Sequence, residues 1–195
     1  MNGSPHAVGN DVVDLGDPAI AGHHRRDRFV SRVCTPEERK RIASSLDLWT
    51  LFASKEAAYK ALVNLGYSPG FAHREIVVSP DLRTVRWRAT QPLALQVHSE
   101  GRYVHAVAWS PSSERPHGRV ASAQTPESQA ARVLLSELVA DVTGCEAADL
   151  QVVRDPLQGG WDGFGPPRVE HRGSPLDASV SLSHDGGFVA AALLV

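Results

Sequence analysis

Three short motifs in this 195-residue chain carry side chains that could bind a divalent cation and an anion. Asp11 lies near the end of a predicted strand that carries β-branched valines, Glu56 lies between lysines in the segment WTLFASKEAAYKAL, and Ser183-His184 follows another predicted strand. Carboxylate oxygens bind Mg²⁺, which keeps water and phosphate oxygens in its remaining positions. Lysine, histidine and hydroxyl groups donate to phosphate. Together the motifs predict a divalent cation facing a phosphate-rich ligand.

Each motif taken alone has a simpler interpretation. Asp11 could be a turn aspartate that accepts backbone N–H groups. Glu56 and Lys60 have the spacing of an exposed helical salt bridge worth a few tenths of a kcal/mol. Ser183-His184 could be a hairpin turn with a surface histidine, or a Ser-His nucleophile pair, although no Gly-x-Ser-x-Gly motif accompanies it. An anion grip is favoured because the three motifs occur together.

The helical context of Glu56 also weakens the salt-bridge interpretation. Aromatic and aliphatic residues neighbour its charges along the helix, so some charges must lie at the edge of an apolar face. Glu56 and Asp11 would then give two carboxylates around one cation. Lys55 and Lys60 would meet phosphate groups as point charges.

Hydrophobic periodicity and capping residues predict the elements that position these motifs. The expected helices cover residues 25–33, run from a cap at Thr35 to about Ser44, run from a cap at Asp47 to Gly66, and run from a cap at Thr125 to Gly144. The expected strands cover residues 7–15, 75–78, 85–88, 93–97, 103–109, 150–153, 178–182 and 188–195. A Gly/Pro-rich loop over 156–167 is expected after the strand 150–153.

An internal repeat suggests how these elements are organised. Residues 95–106 (LQVHSEGRYVHA) align without a gap on residues 180–191 (VSLSHDGGFVAA), and each copy follows an amphipathic helix. We therefore predict an α+β fold of two similar halves, 7–110 and 125–195, joined by a Pro/Ser-rich linker over 111–124. The halves are expected to pack about a pseudo-two-fold axis with a ligand cleft between them.

Composition narrows the class of protein. A net charge of −2 argues against a broad basic surface for nucleic acid or an anionic membrane. Two isolated cysteines argue against a disulfide scaffold or a zinc site. The N-terminal residues do not resemble a signal peptide, and no apolar run is long enough for a membrane span, so we expect a cytoplasmic protein. Arg25, Arg26, Arg28 and Arg32 could form a docking surface for an acidic partner.

In this order the three motifs resemble those of the 4′-phosphopantetheinyl transferases, which move the phosphopantetheine arm of coenzyme A onto a serine of a carrier protein. GNDVVDL resembles the first metal motif of the family, which implies a metal ligand at Asp11 and the downstream acidic residue at Asp14. WTLFASKEAAYKAL matches the pattern W/F-x-x-K-E-A-x-x-K. The match implies that Glu56 is the second metal ligand and that Lys55 and Lys60 lie near the pyrophosphate.

The C-terminal motif SLSHDGGFVAAAL resembles the Ser-His turn and following strand of the same family. The resemblance implies that Ser183 and His184 contact the phosphates of coenzyme A. It also suggests Arg132 as a partner of the 3′-phosphate. The family's Gly-Lys-Pro loop reads Gly165-Pro166-Pro167 here, so Arg168 would have to replace the missing lysine.

The motif order is that of the holo-acyl-carrier-protein synthase type, which is an oligomer of single repeats. Residues 125–195 resemble the first half of the two-repeat, surfactin-synthetase-activating type, and residues 7–110 resemble its second half. The resemblance therefore implies a permuted, monomeric two-repeat enzyme.

The resemblance also implies the reaction and its cofactors. An apo carrier-protein serine attacks the β-phosphate of coenzyme A and 3′,5′-ADP leaves, with Mg²⁺ on Asp11 and Glu56. Glu56 is the candidate base, and Lys60 and His184 stabilise the phosphate oxygens. The carrier could belong to fatty-acid, polyketide or nonribosomal peptide biosynthesis, and Asp14 is left open as a third metal ligand. The alternatives are a non-catalytic homologue that binds coenzyme A or a carrier protein, and a metal-dependent phosphohydrolase.

Overall fold

The computed structural model describes residues 6–70, 72–111, 114–123, 126–156 and 163–195. The α-helices are Asp27–Val33 (α1), Pro36–Arg39 (α2), Ser45–Asn64 (α3) and Glu127–Thr143 (α4). The strands are Val8–Asp14 (β1), Ile76–Val78 (β2), Thr84–Trp87 (β3), Leu93–Glu100 (β4), Tyr103–Trp109 (β5), His117–Ser122 (β6), Leu150–Pro156 (β7), Phe164–His171 (β8), Ser174–Pro175 (β9), Ser179–Asp185 (β10) and Phe188–Leu194 (β11).

A five-stranded antiparallel sheet with the order β1-β5-β4-β3-β2 forms the first part of the fold. Helix α3 packs across one face of this sheet, and the main hydrophobic core lies between them. The capping box of Ser44 and Asp47 begins the helix: the Ser44 hydroxyl accepts from the Asp47 amide, while the Asp47 carboxylate accepts from the Ser44 amide. The N-cap of α3 is therefore Ser44, and Asp47 lies three residues inside the helix.

Two three-stranded antiparallel sheets, β10-β11-β6 and β7-β8-β9, form the second part. Helix α4 packs mainly on β11 and β10, and its apolar face encloses a second core. The helix ends at Gly144, whose φ of 75° is the left-handed conformation that commonly closes a helix. The predicted α+β class is confirmed by this mixture of helices and sheets.

The two aligned sequence segments both form β-hairpins, and the hairpins have the same register. Glu100 lies opposite Tyr103 in the β4–β5 hairpin, and Asp185 lies opposite Phe188 in the β10–β11 hairpin. The first turn residue is Gly101 or Gly186, with φ of 54° and 53°, a conformation that favours glycine. The alignment thus corresponds to a shared local geometry.

Strands β1 and β10 belong to different sheets but run side by side in the same direction. Side chains at alternate positions of β10 accept hydrogen bonds from amides at alternate positions of β1, over 2.7–3.2 Å. We call this contact the β1–β10 seam. Its donor–acceptor pairs are Val8 with Ser179, Asn10 with Ser181, Val12 with Ser183 and Asp14 with Asp185.

Three sequence-based boundaries are corrected by the structure. The segment 111–124 is not wholly a linker, because residues 117–122 form β6 and pair with β11; residues 112, 113 and 124 lie outside the described residues. The helix capped by Thr35 ends at Arg39, well before Ser44, and its Glu38 side chain is buried. Residues 164–167 of the predicted Gly/Pro-rich loop belong to β8.

The predicted helix cap at Thr125 also falls outside the described residues. Of the helices in the described ranges, none has the length and apolar character needed to cross a membrane.

Candidate functional site

Asp11 lies on the face of β1 that packs against α3. Gly9 shares this face, since residues two apart on a strand point the same way. A Cβ atom at Gly9 would lie 2.1 Å from the Ala57 carbonyl oxygen and 2.4 Å from the Ala61 nitrogen. The missing side chain therefore lets the helix backbone approach the strand, which brings the helix within reach of the Asp11 carboxylate.

Two donors from different elements meet the carboxylate of Asp11. Lys60 of α3 donates from Nζ over 2.9 Å, and Ser183 of β10 donates from Oγ over 2.8 Å, both to Oδ1. Lys60 Nζ also donates to the Asn10 carbonyl over 2.9 Å and to the Leu182 carbonyl over 3.4 Å. The ammonium thus joins both strands of the seam, and both side-chain donors bind the same oxygen of Asp11.

Glu56 lies one helical turn before Lys60 on α3. Its Oε1 is 2.5 Å from Nε2 of His73, whose ring stacks on Phe52 at 5.3 Å. Burial raises the pKa of the Asp11 carboxyl, and the negative charge of Glu56 raises it further, while Lys60 and Ser183 act in the opposite direction. Asp11 and Glu56 are therefore close enough to interact electrostatically, and a cation beside both would relieve this cost.

The donor set at this site consists of two carboxylates. Within the described ranges there is no group of three or more His, Cys, Asp or Glu side chains arranged to hold a metal ion. Two carboxylates with solvent and phosphate oxygens suit Mg²⁺, which is commonly bound through one or two carboxylates and substrate phosphates. The chemistry of Asp11 and Glu56 is consistent with such an ion.

A family model described as the 4′-phosphopantetheinyl transferase superfamily matches residues 7–108. The chain belongs to this superfamily. The matched region contains Asp11, Glu56 and Lys60, and it ends near the last residue of β5. No curated protein matches the chain. The resemblance drawn from the three motifs is confirmed at the level of the superfamily.

The expectation that Lys55 meets the pyrophosphate is corrected by the structure. Its side chain is fully buried, and Nζ donates to Glu38 Oε2 over 2.7 Å and to the carbonyls of Ile76 and His73 over 2.6 and 3.1 Å. Adjacent residues on a helix point about 100° apart. Lys55 therefore faces the interior next to α2, and its ammonium has three protein partners. Glu56 instead faces His73.

Asp14 does not join Asp11 either. Three positions along a strand place it on the opposite face, where its carboxylate accepts from the amides of Gly16 and Gly187 and from Arg102. Burial alone would raise the pKa of Asp14, but the two backbone hydrogen bonds and Arg102 bring that pKa below its ordinary value. Asp14 ties the end of β1 to the β10–β11 turn.

The remaining residues expected to bind coenzyme A lie further from Asp11. His184 points away from Ser183, and its Nδ1 lies 2.9 Å from Oε2 of Glu127 at the start of α4. Arg132 of α4 donates to the Val152 carbonyl over 3.5 Å. Arg168 of β8 is bound by Asp155 and Glu170. No contact between described residues joins these three side chains to Asp11 or Glu56.

Sequence reasoning missed His73 and Asn64. Asn64 lies one turn after Lys60 and donates from Nδ2 to the carbonyls of Val8 and Val180, over 2.7 and 3.2 Å. The i, i+4 spacing of Lys60 and Asn64 was a usable signal, because such residues share a helix face. His73 begins a short 3₁₀ helix, His73–Glu75, 17 positions after Glu56, and no periodicity connects the two.

Proposed function

We propose that the chain is a 4′-phosphopantetheinyl transferase that moves the phosphopantetheine arm of coenzyme A onto a serine of an apo carrier protein, releasing 3′,5′-ADP. The observation that carries this proposal is the meeting of Asp11, Lys60 and Ser183 at the β1–β10 seam, with Glu56 one helical turn before Lys60 and its negative charge raising the pKa of Asp11. Their side chains come from β1, α3 and β10, so residues far apart in sequence contribute to one polar site. Membership of the superfamily supports the same reaction class.

Asp11 and Glu56 would hold Mg²⁺. When bound, the ion neutralises negative charge on the pyrophosphate of coenzyme A. Glu56 is also the nearest candidate for accepting the proton of the carrier serine, because its side chain is partly exposed whereas Asp11 is almost buried.

Lys60 and Ser183 would orient the Asp11 carboxylate, and Lys60 would present positive charge to phosphate oxygens while the Ser183 hydroxyl could donate to them. Lys60 is held by two backbone carbonyls in addition to Asp11, so its ammonium is fixed in position before any ligand arrives. Preorganised charge of this kind stabilises a developing negative charge without reorganisation. A catalytic role for Lys60 follows from this position.

The phosphates of coenzyme A would extend from Lys60 towards the second part of the fold. His184 is half-exposed, and a phosphate could replace Glu127 as its partner. Arg132 and Arg168 are further candidates for the nucleotide phosphates, and Arg168 directly follows Gly165-Pro166-Pro167 within β8. Lys55 is not part of the proposed phosphate site because its ammonium is enclosed.

A carrier protein would dock beside this site. Arg25, Arg26, Arg28 and Arg32 are all exposed on and next to α1, and complementary charge favours association with an acidic partner. Assignment to fatty-acid, polyketide or peptide synthesis depends on the carrier that is used.

We further propose that the chain consists of two permuted halves related by a pseudo-two-fold axis. Each half contains a strand, a helix and a later β-hairpin, in the orders β1-α3-β4-β5 and β6-α4-β10-β11. In each, the first strand pairs with the last strand of the hairpin. Because one chain supplies residues from both halves to the site, a monomer would be sufficient for activity.

The decisive experiment is to incubate the protein with Mg²⁺, coenzyme A and apo carrier proteins and to weigh the carrier by mass spectrometry. We expect a gain of one phosphopantetheine group. Glu56→Gln should lower the transfer rate by about 10²–10³-fold or more, because the metal ligand and candidate base are lost together. Glu37→Gln is the matched control, since Glu37 is an exposed helical glutamate paired only with Lys40 among the described residues. A near-normal rate for Glu56→Gln would contradict the assignment.

The alternative of a non-catalytic coenzyme A-binding homologue is favoured by one observation. The loop that carries Gly-Lys-Pro in relatives has Gly165-Pro166-Pro167 here, so one positive charge is missing. Binding of coenzyme A in calorimetry, with no mass gain on carriers from the three biosynthetic classes, would support this alternative. Cleavage of coenzyme A in the absence of a carrier would instead indicate a phosphohydrolase.

A further inference from the structure

The segment 73–76, which follows α3 in the chain, contacts two adjacent residues of that helix, Lys55 and Glu56. Lys55 Nζ donates to the backbone carbonyls of His73 and Ile76, while the His73 side chain contacts Glu56 Oε1. The contacts form a closed network. It runs from Glu56 through the His73 imidazole to the His73 backbone, and then through the Lys55 ammonium back to α3. A closed network of this kind holds the Glu56 side chain in one orientation.

Additional contacts stabilise this network. The His73 ring stacks on Phe52, one turn before Glu56 on the same helix, with an angle of 20° between the ring planes. Glu38 binds Lys55 through Oε2 and also accepts from the Val78 amide through Oε1 over 2.9 Å. The 3₁₀ helix His73–Glu75 is thereby tied to α2, α3 and β2 by side chains that sequence spacing did not connect.

We propose that His73 is a positioning residue for Glu56 and that Lys55 is the buried anchor which holds His73. This inference rests on the proposed function, because Glu56 matters here as a ligand of a divalent cation. Groups that hydrogen-bond to metal-ligating side chains fix their orientation, and their removal commonly weakens metal affinity by about 10–100-fold. Lys55 thus acts through the protein interior in this chain, while the adjacent Glu56 would hold the cation.

The test is a direct measurement of Mn²⁺ binding by electron paramagnetic resonance of the free ion, without coenzyme A or carrier. His73→Ala should weaken Mn²⁺ binding by about 10–100-fold while circular dichroism and the thermal midpoint stay close to those of the unchanged protein. His73→Gln places an amide donor at similar reach and should restore most of the affinity. His98→Ala is the matched control, because His98 also contacts a glutamate, Glu100, but on the exposed β4–β5 hairpin.

A second measurement separates positioning from catalysis. In the transfer assay, His73→Ala should raise the Mg²⁺ concentration needed for half-maximal rate, while the rate at saturating Mg²⁺ recovers to a large extent. If His73→Ala binds Mn²⁺ like the unchanged protein while Glu56→Gln loses binding, the positioning role is overturned and the proposed function stands.

The opposite pattern is equally informative. Weakened Mn²⁺ binding by His73→Ala without transfer to any carrier would retain the positioning role and reject the transferase assignment. An unchanged protein that binds no Mn²⁺ would reject both.

Discussion

Helices α3 and α4 occupy comparable places in the fold but bury different kinds of side chain. Each packs on a sheet that contains one of the two hairpins of equal register. The buried residues of α4 are all apolar: Ala131, Leu134, Leu135, Leu138 and Val139. Helix α3 buries Thr50, Ser54 and Lys55 as well as apolar residues, and it sends Lys60 and Asn64 to the carbonyls of the β1–β10 seam.

This difference shows which of the two helices contributes polar side chains to the candidate site. Polar groups in an interior are costly unless they are paired, so a helix that only stabilises the fold does well with an apolar face. In helix α3 the buried Ser54 and Lys55 are paired with backbone carbonyls and with Glu38. The second part of the fold contributes Ser183 to the site from its strand edge, while its helix keeps an apolar core.

The largest effect on stability is expected from Lys55→Met, which tests whether the buried charge of α3 belongs to the fold. The change removes the ammonium that donates to the Glu38 carboxylate and to two backbone carbonyls. Breaking one partner of a buried ion pair costs about 3–5 kcal/mol of unfolding free energy. Lys40→Met removes an exposed lysine of the pair with Glu37 and should cost less than about 1 kcal/mol. Urea denaturation measures both. Equal losses would place Lys55 outside the stabilising network.

A somewhat smaller effect is expected from Gly9→Ala, which tests the close approach of α3 to β1. The new Cβ would meet two backbone atoms at 2.1 and 2.4 Å, and backbone cannot move aside as a side chain can. We expect a loss of about 3 kcal/mol of unfolding free energy. The control is Gly118→Ala in β6, where the nearest atoms are side-chain atoms of His105 and Val107 at 3.4 and 3.5 Å. A tolerated Gly9→Ala would mean that the helix can retreat from the strand.

Much of this architecture was predictable from the sequence because it is encoded locally. Hydrophobic periodicity located α3 and α4, and β-branched alternation located β1, β5 and β11. The motif order pointed to the superfamily that residues 7–108 match. The segment 117–122 was missed because HGRVAS lacks a strand pattern and pairs with β11 through contacts distant in sequence.

The site was predictable in part. The spacing of Glu56 and Lys60 indicated a shared helix face, and in the structure Lys60 donates to Asp11 while Glu56 contacts His73. The direction of Lys55 was not predictable, because its partner Glu38 lies 17 residues away and appears in sequence as an ordinary first-turn acid. The contact of His73 with Glu56 likewise depends on how the short segment His73–Glu75 packs against α3. Such pairings are decided by tertiary packing.

The smallest effect concerns His105, which distinguishes the two hairpins because the aligned residue in the second hairpin is Ala190. Burial lowers the pKa of His105 from its ordinary 6.5 to about 4, with help from nearby His98. The unfolded chain therefore binds more protons than the fold below pH 6.5, so stability falls as the pH is lowered through this window. From pH 7.5 to 5.5 the loss of unfolding free energy should be about 1 kcal/mol.

His105→Gln should remove this pH dependence of the unfolding free energy, measured by urea titrations at both pH values. His98→Gln, at an exposed position, should retain it. An unchanged slope in His105→Gln would mean that other groups cause the acid sensitivity and that the two hairpins do not differ in this respect.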